Sequence, residues 1–168
     1  SSVLNCPPDY VGRDFSFRTG RIRESFESGT FIVFPWINTG NKPWIISEDY
    51  AFDGNVSARS GPVSHNEKSN LAIRSIYEKA DSVRFRYKVS SEQNYDYFSF
   101  LLNGQEIIRK SGETGWIRAA VPVPQGTHRM EWIYTKDNSV SNGSDAAWVD
   151  LIDFSDTAPV RYISKDLE

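Results

Sequence analysis

Apolar and polar residues alternate along two stretches of the chain, and a period of two is typical of a half-buried β-strand. The stretch 82–90, SVRFRYKVS, places four apolar side chains on one face and three cationic side chains on the other. The stretch 127–135, THRMEWIYT, alternates in the same way. No helix has this period, so both stretches are predicted to be strands, with Trp132 in the core.

Shorter apolar segments recur along the rest of the chain with turn residues between them. Asn103-Gly104 follows the apolar run 98–102 and precedes 105–110, and an Asn-Gly pair between apolar flanks predicts a tight hairpin because both positions tolerate positive φ. No segment of helix length shows an apolar stripe at a spacing of 3.6 residues. The pattern therefore predicts an all-β fold with almost no helix, a two-sheet antiparallel β-sandwich of the jelly-roll kind.

The first residues lack this pattern. Residues 1–20 show little periodicity and are predicted to be an N-terminal arm or linker, and residues 21–168 are assigned to the β-sandwich domain. A length of 168 residues is sufficient for one domain with its own core. We interpret the chain as a single sandwich preceded by an arm.

Composition and charge exclude several classes of partner. The 19 basic and 22 acidic residues give a net charge of -3, so no basic surface for nucleic acid is indicated. No apolar run approaches the length of a transmembrane segment. The single cysteine, Cys6, allows neither an intramolecular disulfide nor a cysteine-based zinc site.

Several short motifs rich in aromatic, glycine and small polar residues recur between residues 21 and 154. They are the residues 24–29, 43–44, 57–61, 64–66, 95–100, 103–104, 111–112, 115–116, 126–128, 132–134, 136–141 and 143–150. With these motifs the chain resembles the jelly-roll modules of large secreted and surface proteins of bacteria, similar to MAM-like and cleaved-adhesin domains. The resemblance implies a concanavalin-like sandwich that serves in adhesion, in glycan binding or as a spacer of a parent enzyme, outside the cytoplasm, with a structural calcium ion in some members.

Catalytic chemistry finds little support in the sequence. A retaining glycosidase needs two carboxyl groups about 5 to 5.5 Å apart. Asp150 and Asp153 are three residues apart, an odd step that is expected to place them on opposite faces of a strand. His128 is in line with Met130 and Trp132, which is typical of a core or edge histidine. We therefore expect a protein that is not an enzyme; a sandwich-fold hydrolase or lyase is the least favoured alternative.

Calcium is the metal that the acidic residues favour, since it takes six to eight oxygen ligands. Glu24 and Glu27 lie on the predicted first strand, and Asp145 and Asp150 lie at the predicted last strand, which is commonly its neighbour in such sandwiches. These four acids are the predicted ligands of a structural calcium ion. The alternative is that Asp150 accepts hydrogen bonds from the backbone of a loop or pairs with an arginine.

Exposed aromatic rings next to amides and carboxylates are typical of glycan sites, because sugars stack on rings and their hydroxyls bind polar groups. The alternative for each tryptophan beside a Gly or Pro turn is that it closes one end of the core. The predicted ligand-binding residues fall at strand ends or in loops, and they are Tyr95, Tyr97, Trp116, Trp44, Asn94 and Asp96.

The leading interpretation is a non-catalytic extracellular adhesion or carbohydrate-binding module, secreted or on a bacterial cell surface and part of a larger protein. Its partner would be a glycan or a protein at a cell surface. A purely structural or protein-binding accessory domain, with no small ligand of its own, is the main alternative. An exposed aromatic row beside Asn and Asp would favour the first interpretation, whereas two carboxylates converging in a cleft would favour an enzyme.

Overall fold

The computed structural model describes residues 22–155, and the predicted arm lies outside them. Within this range the chain forms strands and turns and no helix, which confirms the all-β prediction. Accordingly, no helix there is a candidate membrane span. The strands are β1 (Arg23–Glu24), β2 (Ile37–Gly40), β3 (Ile45–Ser47), β4 (Ser57–Arg59), β5 (Lys68–Tyr77), β6 (Asp81–Ser90), β7 (Tyr97–Leu102), β8 (Gln105–Lys110), β9 (Ile117–Val123), β10 (Gly126–Thr135) and β11 (Ala146–Asp153).

Two antiparallel sheets face each other, as the sandwich prediction requires. Sheet A has the order β3-β4-β11-β6-β9, and β1 also pairs with β11. Sheet B has the order β2-β5-β10-β7-β8. The neighbours along each sheet are mostly distant in sequence, so the fold depends on long-range pairing. The predicted hairpin at Asn103-Gly104 connects β7 to β8, and both of its residues have positive φ.

Aromatic rings from the two sheets fill the space between them. Trp132 of β10 is fully buried, as predicted, and its ring lies 5.0 Å from that of Phe100 and 5.5 Å from those of Phe85 and Trp36. These centroid separations are those of favourable edge-to-face and tilted pairs. One face of β6 and one face of β10 therefore lie in the core, as the alternation in the sequence predicts.

A β-bulge in β11 changes which faces its acids occupy. Asp150 pairs with Arg86 and Asp153 pairs with Arg84, so three residues of β11 span two residues of β6. The extra residue is Leu151, with a φ of 52°. Paired residues of an antiparallel ladder share a face, so both acids lie on the outer face of sheet A. The expectation that an odd step separates their faces was therefore wrong.

The loop 48–56, between β3 and β4, folds over this outer face of sheet A. Tyr50 packs edge-to-face on Trp148 at 5.0 Å, and Lys88 lies 4.6 Å from the Tyr50 ring centroid. The guanidinium of Arg86 lies 4.2 Å from the centroid of the Phe52 ring. Cation-π contacts thus fix this loop on the cationic face of β6.

Candidate functional site

A groove opens on the outer face of sheet B, at the end where β7 begins and β10 ends. Its volume is about 210 Å³. The register creates it, because Tyr97 lies opposite Thr135 and Ser99 lies opposite Arg109. We call it the tyrosine groove, and it is lined by Tyr95, Tyr97, Ser99, Glu106, Arg109, Thr135, Lys136 and Asp137.

Two tyrosines give the groove its aromatic surface. The Tyr95 side chain is 59% exposed, whereas Tyr97 is partly buried and has the Arg109 guanidinium 3.8 Å from its ring centroid. Tyr95 sits in a turn in which its backbone N-H donates to the Glu92 carbonyl oxygen. Asn94 has a φ of 71° in the same turn. The turn therefore presents the Tyr95 ring to solvent at the edge of the groove.

Hydrogen-bonding side chains continue the same face away from the tyrosines. Ser99 donates to Glu106 Oε2 at 2.7 Å, within the groove. On β5 and β10, the Asn70 amide donates to Glu131 Oε2 at 3.0 Å. Amides, carboxylates and a guanidinium on one face of a sheet are the groups that bind sugar hydroxyls beside an aromatic ring.

An ion-pair cluster supports the floor of the groove. Lys136 is buried, and its ammonium lies 3.2 Å from Asp96 Oδ2 and 3.2 Å from Asp145 Oδ1. Burial lowers the pKa of Lys136, but the bonds to these two carboxylates outweigh burial and raise it overall. Asp96 is fully buried and also accepts a hydrogen bond from the Asp137 backbone N-H. The cluster therefore orders the two chain segments that carry Tyr95 and Asp137.

The predicted ligand-binding residues do not all meet in this groove. Tyr95 and Tyr97 line it, and Asn94 is exposed in the same turn. Asp96 lies beneath the groove, where its carboxylate forms an ion pair with Lys136. Trp44 is only 2% exposed, so its ring offers no face to a ligand and belongs to the core, which is the alternative stated above.

Trp116 lies on the opposite sheet. It directly precedes β9, and its ring is 6.1 Å from that of Phe52 in the loop over sheet A. It is partly exposed there. The interpretation that places Trp116 with the two tyrosines in one site therefore does not agree with the geometry.

The four predicted calcium ligands are divided between two places. Asp145 is bound to Lys136 beside the tyrosine groove. Glu27 and Asp150 hold the loop 48–56: Asp150 Oδ2 accepts from the N-H groups of Phe52 and Asp53, and Glu27 accepts from the N-H groups of residues 55 and 56. Glu24, opposite Ile152 of β11, accepts from the Phe26 N-H and the Trp36 indole N-H. The backbone-capping alternative for Asp150 therefore describes its contacts in this structure.

Glu24 and Asp150 are nevertheless buried acids without a basic partner within 4 Å in residues 22–155. Burial raises the pKa of Asp150 to about 6, against hydrogen bonds that lower it. Burial raises the pKa of Glu24 as well, and the negative charge of Asp150 adds to this effect. The charged forms of both acids are thus incompletely compensated in the fold.

Another acidic group was not anticipated. Carboxylate oxygens of Glu92, Asp96 and Asp137 lie within 4.8 Å of one another, and residues 22–155 contain no other such set of three or more candidate metal ligands. Partial burial and the charges of Asp137 and Asp96 raise the pKa of Glu92. Lys136 already supplies a positive charge here, so this cluster has an internal counter-ion that Glu24 and Asp150 lack.

Sequence analysis did not identify Ser99, Glu106 and Arg109 as groove residues. The available signal was the alternation itself, because outward positions of neighbouring strands must share a face. Alternation shows which residues point outward, but it shows that they share a site only when the neighbouring strands are known. In sheet B, β7 lies between β8 and β10. The order depends on long-range pairing, which one sequence does not give.

Comparison with known proteins supports the fold. No protein-family model matches the chain, and no curated protein matches it. Among solved structures, TmCBM61 in complex with β-1,4-galactotriose is similar with a TM-score of 0.54 and 16% identity, over 82% of this chain and 94% of that chain. The K1 cleaved adhesin domain of Lys-gingipain from Porphyromonas gingivalis W83 gives a TM-score of 0.60 and 11% identity, over 79% and 96%.

A xylan-binding domain from carbohydrate-binding module family 22 is similar as well, with a TM-score of 0.56 and 14% identity, over 85% of this chain and 97% of that chain. At these identities the similarity is one of fold. The chain has the β-sandwich fold shared by carbohydrate-binding modules and cleaved adhesin domains, as the sequence resemblance implies.

Proposed function

We propose that this domain is a non-catalytic carbohydrate-binding module whose glycan site is the tyrosine groove. The observation that carries the proposal is the exposed Tyr95 ring beside the polar row of Ser99, Glu106 and Arg109. A sugar ring stacked on Tyr95 would place its hydroxyls next to these donors and acceptors. The groove is open, which suits one segment of a longer saccharide chain.

The setting we propose is extracytoplasmic, in a secreted or surface protein of a bacterium. The similar solved structures support this setting, since they include cleaved adhesin domains of a gingipain and xylan-binding domains. The adhesin domains also favour a second candidate, in which the same face binds a protein partner instead of a glycan. The two candidates differ in the ligand that the tyrosine groove binds: a saccharide in the first and a protein in the second.

A glycan array that includes β-1,4-galactan and xylan oligosaccharides tests the first candidate. Tyr95→Ala should abolish binding, because it removes the exposed ring without touching the core. Tyr50→Ala is the matched control, since Tyr50 is similarly exposed at 46% but lies over the opposite sheet. A blank array for the wild-type domain, or equal loss in both variants, would reject the groove as a glycan site.

We further propose a structural calcium ion at Glu24 and Asp150. Buried charges in proteins are paired or coordinate metals, and neither acid has a basic partner in the described range. Phe26 and Leu151, close in sequence to these acids, have φ values of 62° and 52°. Bulky residues in this region are strained, and such strain clusters at ligand sites. The ion would neutralise both carboxylates and hold the loop 48–56 to the last strand.

Calcium should raise the melting temperature, and a chelator should reverse the change, because an ion bound only by the native state stabilises it. Asp150→Asn should remove most of this response. Glu92→Gln is the control, since it changes the second acidic cluster and leaves Asp150 intact. If Glu92→Gln and not Asp150→Asn abolished the response, the ion would belong to the other cluster; no response in the wild type would reject the metal.

A further inference from the structure

A cationic cleft lies on the outer face of sheet A, on the side of the sandwich opposite the tyrosine groove. Its volume is about 190 Å³, and four of its seven lining residues are arginines. We call it the arginine cleft. It is lined by Arg23, Arg84, Arg86, Arg118, Phe85, Leu151 and Asp153.

The strand register forces these arginines together. Arg86 of β6 is the direct cross-strand partner of Arg118 of β9, and Arg84 lies two residues from Arg86 on the same face. Like charges at directly opposed positions of an antiparallel pair repel each other and destabilise the sheet. Positive charge is thus concentrated in this cleft, although the whole chain has a net charge of -3.

The acids nearby neutralise only part of this charge. Arg23 lies 3.6 Å from Asp153, and Arg84 lies 3.9 Å from Asp81. Within residues 22–155, neither Arg86 nor Arg118 has a carboxylate within 4 Å. Asp150 is opposite Arg86 in the register, but its oxygens accept backbone hydrogen bonds from residues 52, 53 and 151.

An aromatic ring outside the lining of the cleft orients one of its arginines. Phe52 stacks on the Arg86 guanidinium at 4.2 Å, which holds that planar group in place. The Trp116 ring lies 6.1 Å from that of Phe52, and both side chains are accessible to solvent. A guanidinium beside an exposed ring is suited to a ligand that has both an anionic group and an apolar face.

We propose that the arginine cleft binds the carboxylate or sulfate groups of an acidic polysaccharide. Arginine forks match both groups with paired hydrogen bonds, and an anion between Arg86 and Arg118 would relieve their repulsion. Phe52 and Trp116 would contact the sugar ring that carries the charge. This site is separate from the tyrosine groove, so it stands whether or not the groove binds a neutral glycan.

Titration of the full chain with heparin and with polygalacturonate tests the proposal and separates sulfate from carboxylate. Binding of at least one polymer should weaken as salt is added, and Arg118→Ala should lower its affinity at least about tenfold. Arg118→Lys should retain part of the affinity, since it keeps the charge and loses the planar fork. Lys110→Ala, on exposed β8, is the control and should bind like the wild type.

The proposal is overturned if neither polymer binds, if Arg118→Ala binds as the wild type does, or if Lys110→Ala loses as much affinity. It is also overturned if single-stranded DNA binds more tightly than both polymers through the same arginine. The melting temperature of Arg118→Ala should be no lower than that of the wild type, because the substitution removes a repulsion, and this separates lost binding from lost fold. Tyr95→Ala should leave binding of the acidic polymer unchanged, so this result is independent of the tyrosine groove.

Discussion

The ammonium of Lys136 lies 3.2 Å from the Asp96 carboxylate, and both side chains are almost completely removed from solvent. Lys136 also donates to the Val140 carbonyl oxygen at 2.6 Å and bonds Asp145. One buried cation thus joins the turn before β7 to the segment after β10. These are the two segments that form one end of the tyrosine groove.

Lys136→Met is therefore expected to destabilise the fold by about 3 to 5 kcal/mol, because Asp96 would remain buried without its partner. Chemical denaturation measures this change in the free energy of unfolding. Lys110→Met, on the exposed strand β8, should change it by less than about 0.5 kcal/mol. Adding Asp96→Asn to Lys136→Met should recover part of the loss, and a loss under about 1 kcal/mol for Lys136→Met would contradict the structural role.

Trp44 tests the distinction between a core ring and a ligand ring. Trp44→Ala should cost about 3 to 5 kcal/mol, as large core truncations do. Trp44→Phe should cost less and should leave saccharide binding at the tyrosine groove unchanged. Denaturation and glycan titration of the same two variants check both statements. Loss of binding in a stably folded Trp44→Phe would place this residue in the site after all.

Asp150 should make stability depend on pH in chelator. Its pKa is raised from 3.8 to about 6, so between these values the native state binds a proton that the unfolded chain does not. The resulting stabilisation is complete below the unfolded pKa and is lost as the pH rises through 6. The loss is on the order of 3 kcal/mol, since a tenfold change in proton affinity is about 1.36 kcal/mol.

Unfolding of wild type and Asp150→Asn from pH 4 to 7 with chelator measures this effect. The wild type should gain stability relative to the variant as the pH falls. Saturating calcium should oppose the trend, because the ion binds the ionised carboxylate. Parallel curves for the two proteins in chelator would show that Asp150 does not titrate in this window.

Gly104 tests the backbone of the β7-β8 hairpin. Its φ is 83°, and a Cβ added there meets no atom within 4 Å, so Gly104→Ala changes the backbone preference alone. The expected cost is about 1 kcal/mol. Gly115→Ala is the matched control, since Gly115 has the same open space without a positive φ. Equal effects of the two substitutions would contradict the hairpin geometry.

The strands that alternate strongly could be predicted from the sequence. β6 and β10 carry their apolar residues on one face, and the hairpin at Asn103-Gly104 has a local turn signal. β2 has no such signal in the sequence, because Ile37–Gly40 has polar residues, a glycine and no alternation. Its place in sheet B comes from pairing with β5, a long-range contact.

The sites were harder to predict than the strands. The sequence 150–153 contains no local signal for the bulge at Leu151. The shared face of Asp150 and Asp153 could therefore not be predicted. Trp116 and Tyr95 look alike in the sequence, as aromatic residues near turns. Only the strand order within the two sheets shows that they lie on opposite sides of the sandwich.

The pairing of β1 with β11 determines how the domain would respond to mechanical load. Ile22 and Ser155 are joined by a 2.6 Å backbone hydrogen bond, and Phe154 donates to the Ile22 carbonyl oxygen at 2.8 Å. A force that pulls residues 22 and 155 apart would meet these antiparallel bonds one after another rather than all at once. Single-molecule stretching should therefore show β1 peeling away at low force before the rest of the sandwich ruptures.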